Sequence, residues 1–262
     1  MDTQQQKQFK ILLIGETCED NYIFGSVSRI SPEAPVPILD YQKKISTLGM
    51  SSNVKNNLNS FGLFVNHITN KKIIKKTRVV DVNSKQQLIR IDEDDFVDPI
   101  KPSEVRSAFL HSSYDAIVIS DYNKGFLTTN DLKVFCQNFN GPVFIDTKKQ
   151  DLFTEKNVIF KINQREYNNL ISYPDDLHLI ITMGSNGTKY MDNIYPSEKV
   201  NVFDVVGAGD TFLAAFVYSY LTCNEDNIRF SESIKYANKS AAIAVQHFGT
   251  YTLTKEDIRG IS

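Results

Sequence analysis

The residues best suited to chemistry form the stretch 204–212, which reads DVVGAGDTF. An apolar run follows over 212–221 and predicts a buried helix that begins within this stretch. Gly207 and Gly209 let the backbone approach a ligand closely, and the unpaired N–H groups of a helix N-terminus favour an anion such as phosphate. Asp210 either caps this helix or takes a proton from a hydroxyl group that attacks the bound phosphate. Both roles stay open on this stretch alone.

Composition excludes several classes of protein. The 262 residues carry 29 basic and 31 acidic side chains, and a formal charge of −2 gives no reason to expect a nucleic-acid or membrane partner. Three scattered cysteines without a CxxC pair favour a reduced cytoplasm over a disulfide framework or a zinc site. The first ten residues are polar, unlike a signal peptide, and no apolar run is long enough to span a bilayer. The four histidines show no metal-ligand spacing; they are His67, His111, His178 and His247.

Strands and helices alternate along most of the chain, which predicts an α/β fold with a mainly parallel central sheet covered on both faces. The predicted strands are 9–14, 116–120, 142–146, 158–162 and 179–183, with an edge hairpin between 189–192 and 198–203. The predicted helices are 49–62, 102–111, 128–139, 163–171, 209–221 and 231–247. Ligands of such sheets lie beyond the carboxyl ends of the strands, where the sequence has Gly15, Asp121, Asp146, Asn163 and Gly184.

A second, smaller sheet is predicted from segments of mixed polar and apolar residues. It takes the strand 36–41 and a hairpin of 77–82 with 86–91 around Asn83 and Ser84. We expect it to project as a β lid, drawn from about 16–48 and 76–92, on one domain that spans 1–262.

Several motifs then fit one family in its own order. Gly207-Ala208-Gly209-Asp210 after Asp204 resembles the signature of the ribokinase-like (pfkB) carbohydrate kinases. Gly49 with Asn53-Val54, KINQRE at 161–166 and TMGSNG at 182–187 resemble further motifs of that family. Within the family, the segments at 29–37, 87–92 and 120–125 look like those of kinases for D-glycero-heptose 7-phosphate. The resemblance extends over about 11–252.

This resemblance implies a three-layer ribokinase-like fold and ATP- and Mg²⁺-dependent transfer of a phosphoryl group to the anomeric hydroxyl of a heptose 7-phosphate. It implies that Asp210 is the base and that the amides of Gly207, Ala208 and Gly209 form the anion hole. The nucleotide would contact Lys161, Asn163, Glu166, Thr182, Gly184, Gly187 and Asp204, with a monovalent cation near Asp204. Asn163 and Glu166 would orient hydrated Mg²⁺, but their spacing alone favours a capping box instead.

The resemblance also assigns the acceptor side. The substrate-binding candidates are Glu16, Asp20, Arg29, Gly49, Asn53, Arg90, Asp121 and Lys124. Glu16 replaces the family's aspartate, and its longer side chain changes its reach toward the sugar. Lid arginines, including Arg78, match a substrate phosphate, although each taken singly is better explained as an exposed residue. Lids pair between subunits in the subgroup, so we expect a homodimer.

Three departures from the family keep alternatives open. Val206 replaces a threonine, Met50-Ser51-Ser52 replaces smaller residues, and 63–76 is too short for the family's strand–helix segment. The alternatives are a catalytically weak protein that binds a nucleotide or sugar phosphate, and a kinase for another sugar. A dinucleotide-dependent oxidoreductase is a poor match, because the glycine motif comes late and lacks its third glycine and downstream acid. No GxxxxGK[ST] loop of a P-loop NTPase is present.

Overall fold

The computed structural model describes residues 8–110 and 113–261. Most of the polar start of the chain, and His111 at the end of a predicted helix, lie outside these residues. Within them, no helix is both long enough and apolar enough to span a membrane.

The main body is built on an eight-stranded sheet. Its strands are β1 (Lys10–Gly15), β4 (Phe64–Ile68), β7 (Ala116–Asp121), β8 (Val143–Thr147), β9 (Val158–Asn163), β10 (Leu179–Thr182), β11 (Thr188–Tyr190) and β12 (Asn193–Tyr195). They lie in the order β12-β11-β10-β9-β8-β7-β1-β4, and all neighbours from β10 to β4 are parallel. The predicted mainly parallel sheet is therefore confirmed.

Seven α-helices occur among the described residues. They are α1 (Ser51–Ser60), α2 (Pro102–Leu110), α3 (Thr129–Gln137), α4 (Gln164–Asn168), α5 (Ala208–Thr222), α6 (Arg229–Ala244) and α7 (Lys255–Ile261). Alternate residues of β1 face two cores, with Leu12 in the same core as Phe135 of α3 and Leu13 in the same core as Phe216 of α5. Burial on both faces explains why the strands are continuous apolar runs. The short α7 has no counterpart in the sequence prediction.

The second sheet contains β2 (Thr17–Ile30), β3 (Pro37–Met50), β5 (Ile74–Asp81) and β6 (Gln87–Glu93), in the order β3-β2-β5-β6. The hairpin of β5 and β6 lies where the sequence predicts it. The strand predicted at 36–41 continues to Met50, because β3 pairs with β2 from Thr17↔Met50 to Ile30↔Pro37. Only Glu16 separates the end of β1 from the start of β2 at Thr17, so this sheet continues from the carboxyl end of β1. We call this sheet the lid.

Two connections differ in detail from what the sequence suggests. The edge hairpin pairs β11 with β12 and not with 198–203, because a tight turn with Met191 at φ 53° reverses the chain at once. That part of the prediction is wrong, and 198–203 has no regular secondary structure. The short segment 63–76 keeps the strand β4, but no helix lies between β4 and β5.

Candidate active site

Asp210 lies in the first turn of α5 and is 6% exposed. Its two carboxylate oxygens accept hydrogen bonds from Asn53 Nδ2 at 3.0 Å and from Tyr122 Oη at 2.8 Å. Burial raises the pKa of Asp210 to about 6, although both hydrogen bonds and Lys161 favour the ionised form. The N-cap of this helix is Gly207 and has no side-chain hydrogen bond, so Asp210 does not cap the helix.

The N-terminus of α5 requires its glycines. Gly207 has a φ of 79°, and a Cβ at this position would lie 2.7 Å from Asn53 Nδ2. A Cβ at Gly209 would lie 2.9 Å from Lys161 Nζ, so the ammonium group packs directly against this backbone. The amide of Ala208 donates to the carbonyl of Val205 at 3.3 Å. Of the three residues predicted to form the anion hole, Gly207 and Gly209 face the adjoining cavity.

A cavity of about 310 Å³ opens in front of this helix end, and we call it the phosphate cavity. It is lined by Tyr122, Asp146, Lys148, Lys161, Asn163, Glu166, Thr182, Gly184, Gly207, Gly209 and Asp210. Eight of these eleven residues are sequence-predicted site residues, contributed by the ends of β9 and β10, by α4 and by the start of α5. The carboxyl edge of the sheet therefore brings the motifs together as expected for a parallel sheet.

The cations of the phosphate cavity are paired with carboxylates. Lys161 Nζ lies 2.6 Å from Asp146 Oδ2, and both side chains are largely buried. Lys148 Nζ lies 2.6 Å from Glu166 Oε1. Burial opposes the charge of Lys148, but Asp146 and Glu166 outweigh it and raise the pKa of this lysine.

Asn163 and Glu166 form the capping box that their spacing favours. The Asn163 side chain accepts the amide of Glu166 at 2.9 Å, and Glu166 Oε2 accepts the amide of Asn163 at 2.8 Å. No cluster of three or more His, Cys, Asp or Glu suited to a metal ion occurs among residues 8–110 and 113–261. A Mg²⁺ ion that keeps most of its water shell needs few protein oxygens, so the pair still fits such an ion.

Two other predicted nucleotide residues lie outside the phosphate cavity. A Cβ at Gly187 would meet the carbonyl of Tyr195 at 2.0 Å, so this glycine is required by the close approach of the chain at β12. Asp204 accepts the amides of Val206 at 3.0 Å and Gly249 at 2.9 Å. It thereby fixes the loop before α5 against the loop after α6.

Glu16 is fully buried and faces backbone, not the cavity. Its two oxygens accept the amides of Tyr122 at 2.8 Å and Lys124 at 2.9 Å. Burial and then the nearby Asp121 raise the pKa of Glu16. This geometry makes Glu16 an anchor for the loop that carries Tyr122, and sugar binding by Glu16 stays a prediction.

Asp121 and Lys124 are likewise engaged elsewhere. Asp121 accepts from Thr147 Oγ1 at 2.6 Å and from the Asn123 amide at 2.9 Å. Lys124 pairs with Asp95. Neither residue lines the phosphate cavity, and the residue of this loop that approaches Asp210 is Tyr122.

Asp20 and Gly49 meet at the base of the lid. A Cβ at Gly49 would lie 2.0 Å from Asp20 Oδ2, so the carboxylate packs on bare backbone. Asp20 Oδ1 also pairs with Arg78 Nη1 at 2.6 Å, and Arg78 lies 5.2 Å from the ring centroid of Tyr22. Arg29 is exposed at the far end of β2, and Arg90 pairs with Asp92 on the exposed lid.

A second cavity, of about 600 Å³, lies between the lid and the loops around Phe203 and Phe248, and we call it the lid cavity. Three cations line it, and each lies over an aromatic ring. Arg78 lies over Tyr22, Lys43 lies 5.3 Å from the centroid of Phe24, and Lys85 lies 5.9 Å from that of Phe203. Asp204 and Val206 belong to its wall, which joins it to the start of α5.

Sequence reasoning assigned no binding or catalytic role to three residues of the phosphate cavity: Tyr122, Asp146 and Lys148. Signals existed for two of them, because Tyr122 lies within the quoted segment 120–125 and Asp146 ends a predicted strand. Lys148 follows the same strand and carries no motif signal of its own.

A mainly parallel sheet with a glycine-flanked helix N-terminus and a buried acid at its carboxyl edge agrees with the resemblance to ribokinase-like kinases. Residues 158–257 match the model of the pfkB family carbohydrate kinases. Over these residues, which include the start of α5 and Asp210, the chain is similar to this family.

Relatives and solved structures agree with this similarity. The chain is 30% identical to a protein named bifunctional protein HldE of Nitratiruptor sp., over 301 residues that include 95% of this chain and 64% of the relative. A protein of the same name from Campylobacter jejuni is also 30% identical, with 97% and 65% covered. The chain thus spans less than two thirds of the length of these relatives. The alignment of 301 residues also exceeds the 262 of this chain, so the relative is longer within the matched region.

The fold matches Escherichia coli phosphofructokinase-2, solved in complex with potassium, with a TM-score of 0.69, 15% identity and coverage of 97% and 98%. It also matches Arabidopsis thaliana ribokinase, solved with ribose and ATP, with a TM-score of 0.67, 12% identity and coverage of 97% and 99%.

Proposed function

We propose that the chain catalyses ATP- and Mg²⁺-dependent phosphoryl transfer to a sugar hydroxyl, with Asp210 as the proton acceptor. The observation that carries this proposal is the position of Asp210. Its carboxylate is buried between Asn53 and Tyr122, at the N-terminus of α5 and in a cavity with two lysines. A base with a pKa near 6 is largely ionised at neutral pH and can accept the proton of an attacking hydroxyl.

The phosphate cavity supports ATP as the donor. The N-terminus of α5 and Lys161 suit the transferring phosphoryl group, because both stabilise negative charge. Thr182 ends β10, Gly184 and Gly187 follow it, and these residues would approach the rest of the nucleotide. Mg²⁺ bound through water by Glu166 would neutralise charge on the phosphates.

We propose a sugar phosphate as the acceptor, and specifically the anomeric hydroxyl of D-glycero-D-manno-heptose 7-phosphate. The motif at 29–37 and the similarity to HldE-named proteins support this choice. The lid cavity supports it as well, because Arg78, Lys43 and Lys85 suit a phosphate and the aromatic rings suit the apolar face of a sugar.

Three further proposals concern the surroundings of the site. A monovalent cation would bind near Asp204, as suggested by the potassium complex of E. coli phosphofructokinase-2. A homodimer would form through the lid, whose outer face exposes Leu48, Ile89 and Ile91. We place this activity in the cytoplasm, where ATP is available.

A catalytically weak binding protein is the second candidate, and the lost segment favours it. No helix lies between β4 and β5, and a cavity of about 560 Å³ remains between β4 and α2. One wall near the acceptor would then be incomplete, and the hydroxyl would be poorly aligned with the phosphate.

ADP release from Mg·ATP tests both candidates. The acceptors are heptose 7-phosphate, ribose, fructose and fructose 6-phosphate, with Asp210→Ala as the control variant. We expect turnover on the heptose phosphate that the variant lacks. Turnover on another sugar alone would retain the kinase and reject the heptose, and ATP binding without turnover on any sugar would support the weak binding protein.

A further inference from the structure

The proposed function assigns no role to Lys148 of the phosphate cavity. It follows β8, and its ammonium group pairs with Glu166 Oε1 at 2.6 Å while its side chain stays 43% exposed. Glu166 is 15% exposed, and the Asn163 amide holds its other oxygen through the capping box. The carboxylate is therefore fixed, and the flexible lysine is the partner that can move.

The second lysine of the cavity is placed differently. Lys161 is 6% exposed, pairs with Asp146 and packs against Gly209. It has little freedom, so its charge already points at the anion hole. Lys148 lies nearer the opening and contacts Tyr122, whose ring centroid is 5.1 Å from the ammonium nitrogen.

The balance of charge shows what would separate Lys148 from Glu166. The phosphate cavity contains three carboxylates, on Asp146, Glu166 and Asp210, and two ammonium groups. A polyphosphate that arrived alone would be repelled by Glu166. A polyphosphate that arrives with Mg²⁺ supplies Glu166 with a new cation, and Lys148 is then free to pair with a phosphate oxygen.

We propose, building on the function proposed above, that Lys148 binds the outermost phosphate of the nucleotide. Before the nucleotide arrives, Lys148 is paired with Glu166, and it leaves this carboxylate when a metal–nucleotide complex binds. The exchange also removes a cation from the ring of Tyr122, whose hydroxyl group bonds to Asp210. Arrival of the donor is thereby linked to the surroundings of the base.

Calorimetric titration of adenosine, ADP and ATP with Mg²⁺ tests the first half of the proposal. We expect Lys148→Met to weaken ATP binding about 10- to 100-fold, ADP binding less, and adenosine binding less than about twofold. Lys148→Arg should restore most of the ATP affinity. Equal losses for adenosine and ATP would indicate a structural role and overturn the proposal, as would unchanged ATP affinity.

Titration of ATP with EDTA tests the second half. Glu166→Gln keeps an oxygen for the capping box but releases Lys148 and removes a negative charge. We expect metal-free ATP to bind this variant several-fold more tightly than wild type, and Mg²⁺ to improve its ATP affinity less. Unchanged or weaker metal-free binding would contradict the exchange.

Lys235→Met and Glu232→Gln are matched controls, because they break an exposed ion pair of 2.8 Å on α6, outside the cavity. Neither should change nucleotide affinity. A wild type that binds ATP while Lys148→Met binds it equally well would overturn only the role of Lys148. A wild type that binds no adenine nucleotide would overturn this proposal and the proposed function together.

Discussion

The phosphate cavity and the lid cavity both offer cations, but they hold them in different ways. In the phosphate cavity, Lys148 and Lys161 are paired with carboxylates. In the lid cavity, Lys43 and Lys85 lie over aromatic rings, whereas Arg78 both lies over a ring and pairs with Asp20. Paired lysines suit an anion that brings its own metal cation, whereas cations on rings suit an organic phosphate that arrives without one. The difference agrees with the proposed placement of the nucleotide in the phosphate cavity and of the acceptor in the lid cavity.

The largest expected effect is at Asp210, in the phosphate cavity. Asp210→Asn should lower kcat by about 100- to 10,000-fold, because the proton acceptor is lost. ATP affinity should change little, since the phosphate ligands remain. Asp192→Asn, on an exposed turn, is the matched control and should keep full activity. Comparable turnover in Asp210→Asn and wild type would show that another group takes the proton.

The same substitution should stabilise the protein at pH 7. The folded-state pKa of Asp210, about 6, lies above its ordinary value, so its favourable contribution is complete below about pH 4 and is lost as the pH rises through 6. A neutral amide avoids burying the charge, and we expect the free energy of unfolding to rise by up to about 3 kcal/mol. Urea unfolding at pH 7 measures this. A less stable variant would mean that the hydrogen bonds to Asn53 and Tyr122 outweigh the cost of burying the charge.

The lid cavity should give a smaller effect that depends on the substrate. Arg78→Met should raise KM for a phosphorylated acceptor about 10- to 100-fold and leave KM for ribose nearly unchanged, because only the phosphate needs the cation. Arg106→Met is the control, since Arg106 is exposed on α2 and lines neither cavity. Equal losses on both sugars would show that Arg78 acts only by holding Asp20 in place.

The smallest effect should be at Glu16. Glu16→Gln replaces one acceptor oxygen with an NH₂ group that faces a backbone amide, which costs about 1–3 kcal/mol of stability. We expect a reduced Tm and a lower kcat, with KM for the sugar within about twofold, because the loop that carries Tyr122 loosens. A large rise in KM with unchanged Tm would instead support the sequence-based role of Glu16 in binding the sugar.

Local patterns in the sequence predicted most of the fold and much of the phosphate cavity. The positions of the motif at 207–210 and of Asn163 followed from periodicity and from the rule that ligands lie at the carboxyl edge of a parallel sheet. Their roles came from the resemblance to a family of kinases. Local patterns could not predict which side chains form hydrogen bonds to Asp210. Asn53 and Tyr122 are 157 and 88 residues away in sequence, and only the packing of α1 and β7 against α5 brings them together.

The lid shows the same limit. The sequence identified its hairpin, but not which of its strands lies at the edge of the sheet. Arg78 and Arg90 are cross-strand partners on the same face, yet β5 lies inside the sheet next to β2 and β6 lies at its edge. Arg78 of β5 pairs with Asp20 of β2, while Arg90 pairs with Asp92, two residues further along its own exposed strand. The predicted hairpin partner of β11 was also wrong, because the sequence pattern did not distinguish a two-residue turn from a longer connection.

The pH dependence of kcat/KM tests most directly the central claim that buried Asp210 is the proton acceptor. The account predicts an acidic limb near pH 6 in wild type, because burial raises the pKa of this carboxyl group. It further predicts that Tyr122→Phe moves this limb to higher pH, because the Tyr122 hydroxyl stabilises the ionised form. An acidic limb near pH 4 that Tyr122→Phe leaves in place would contradict the claim.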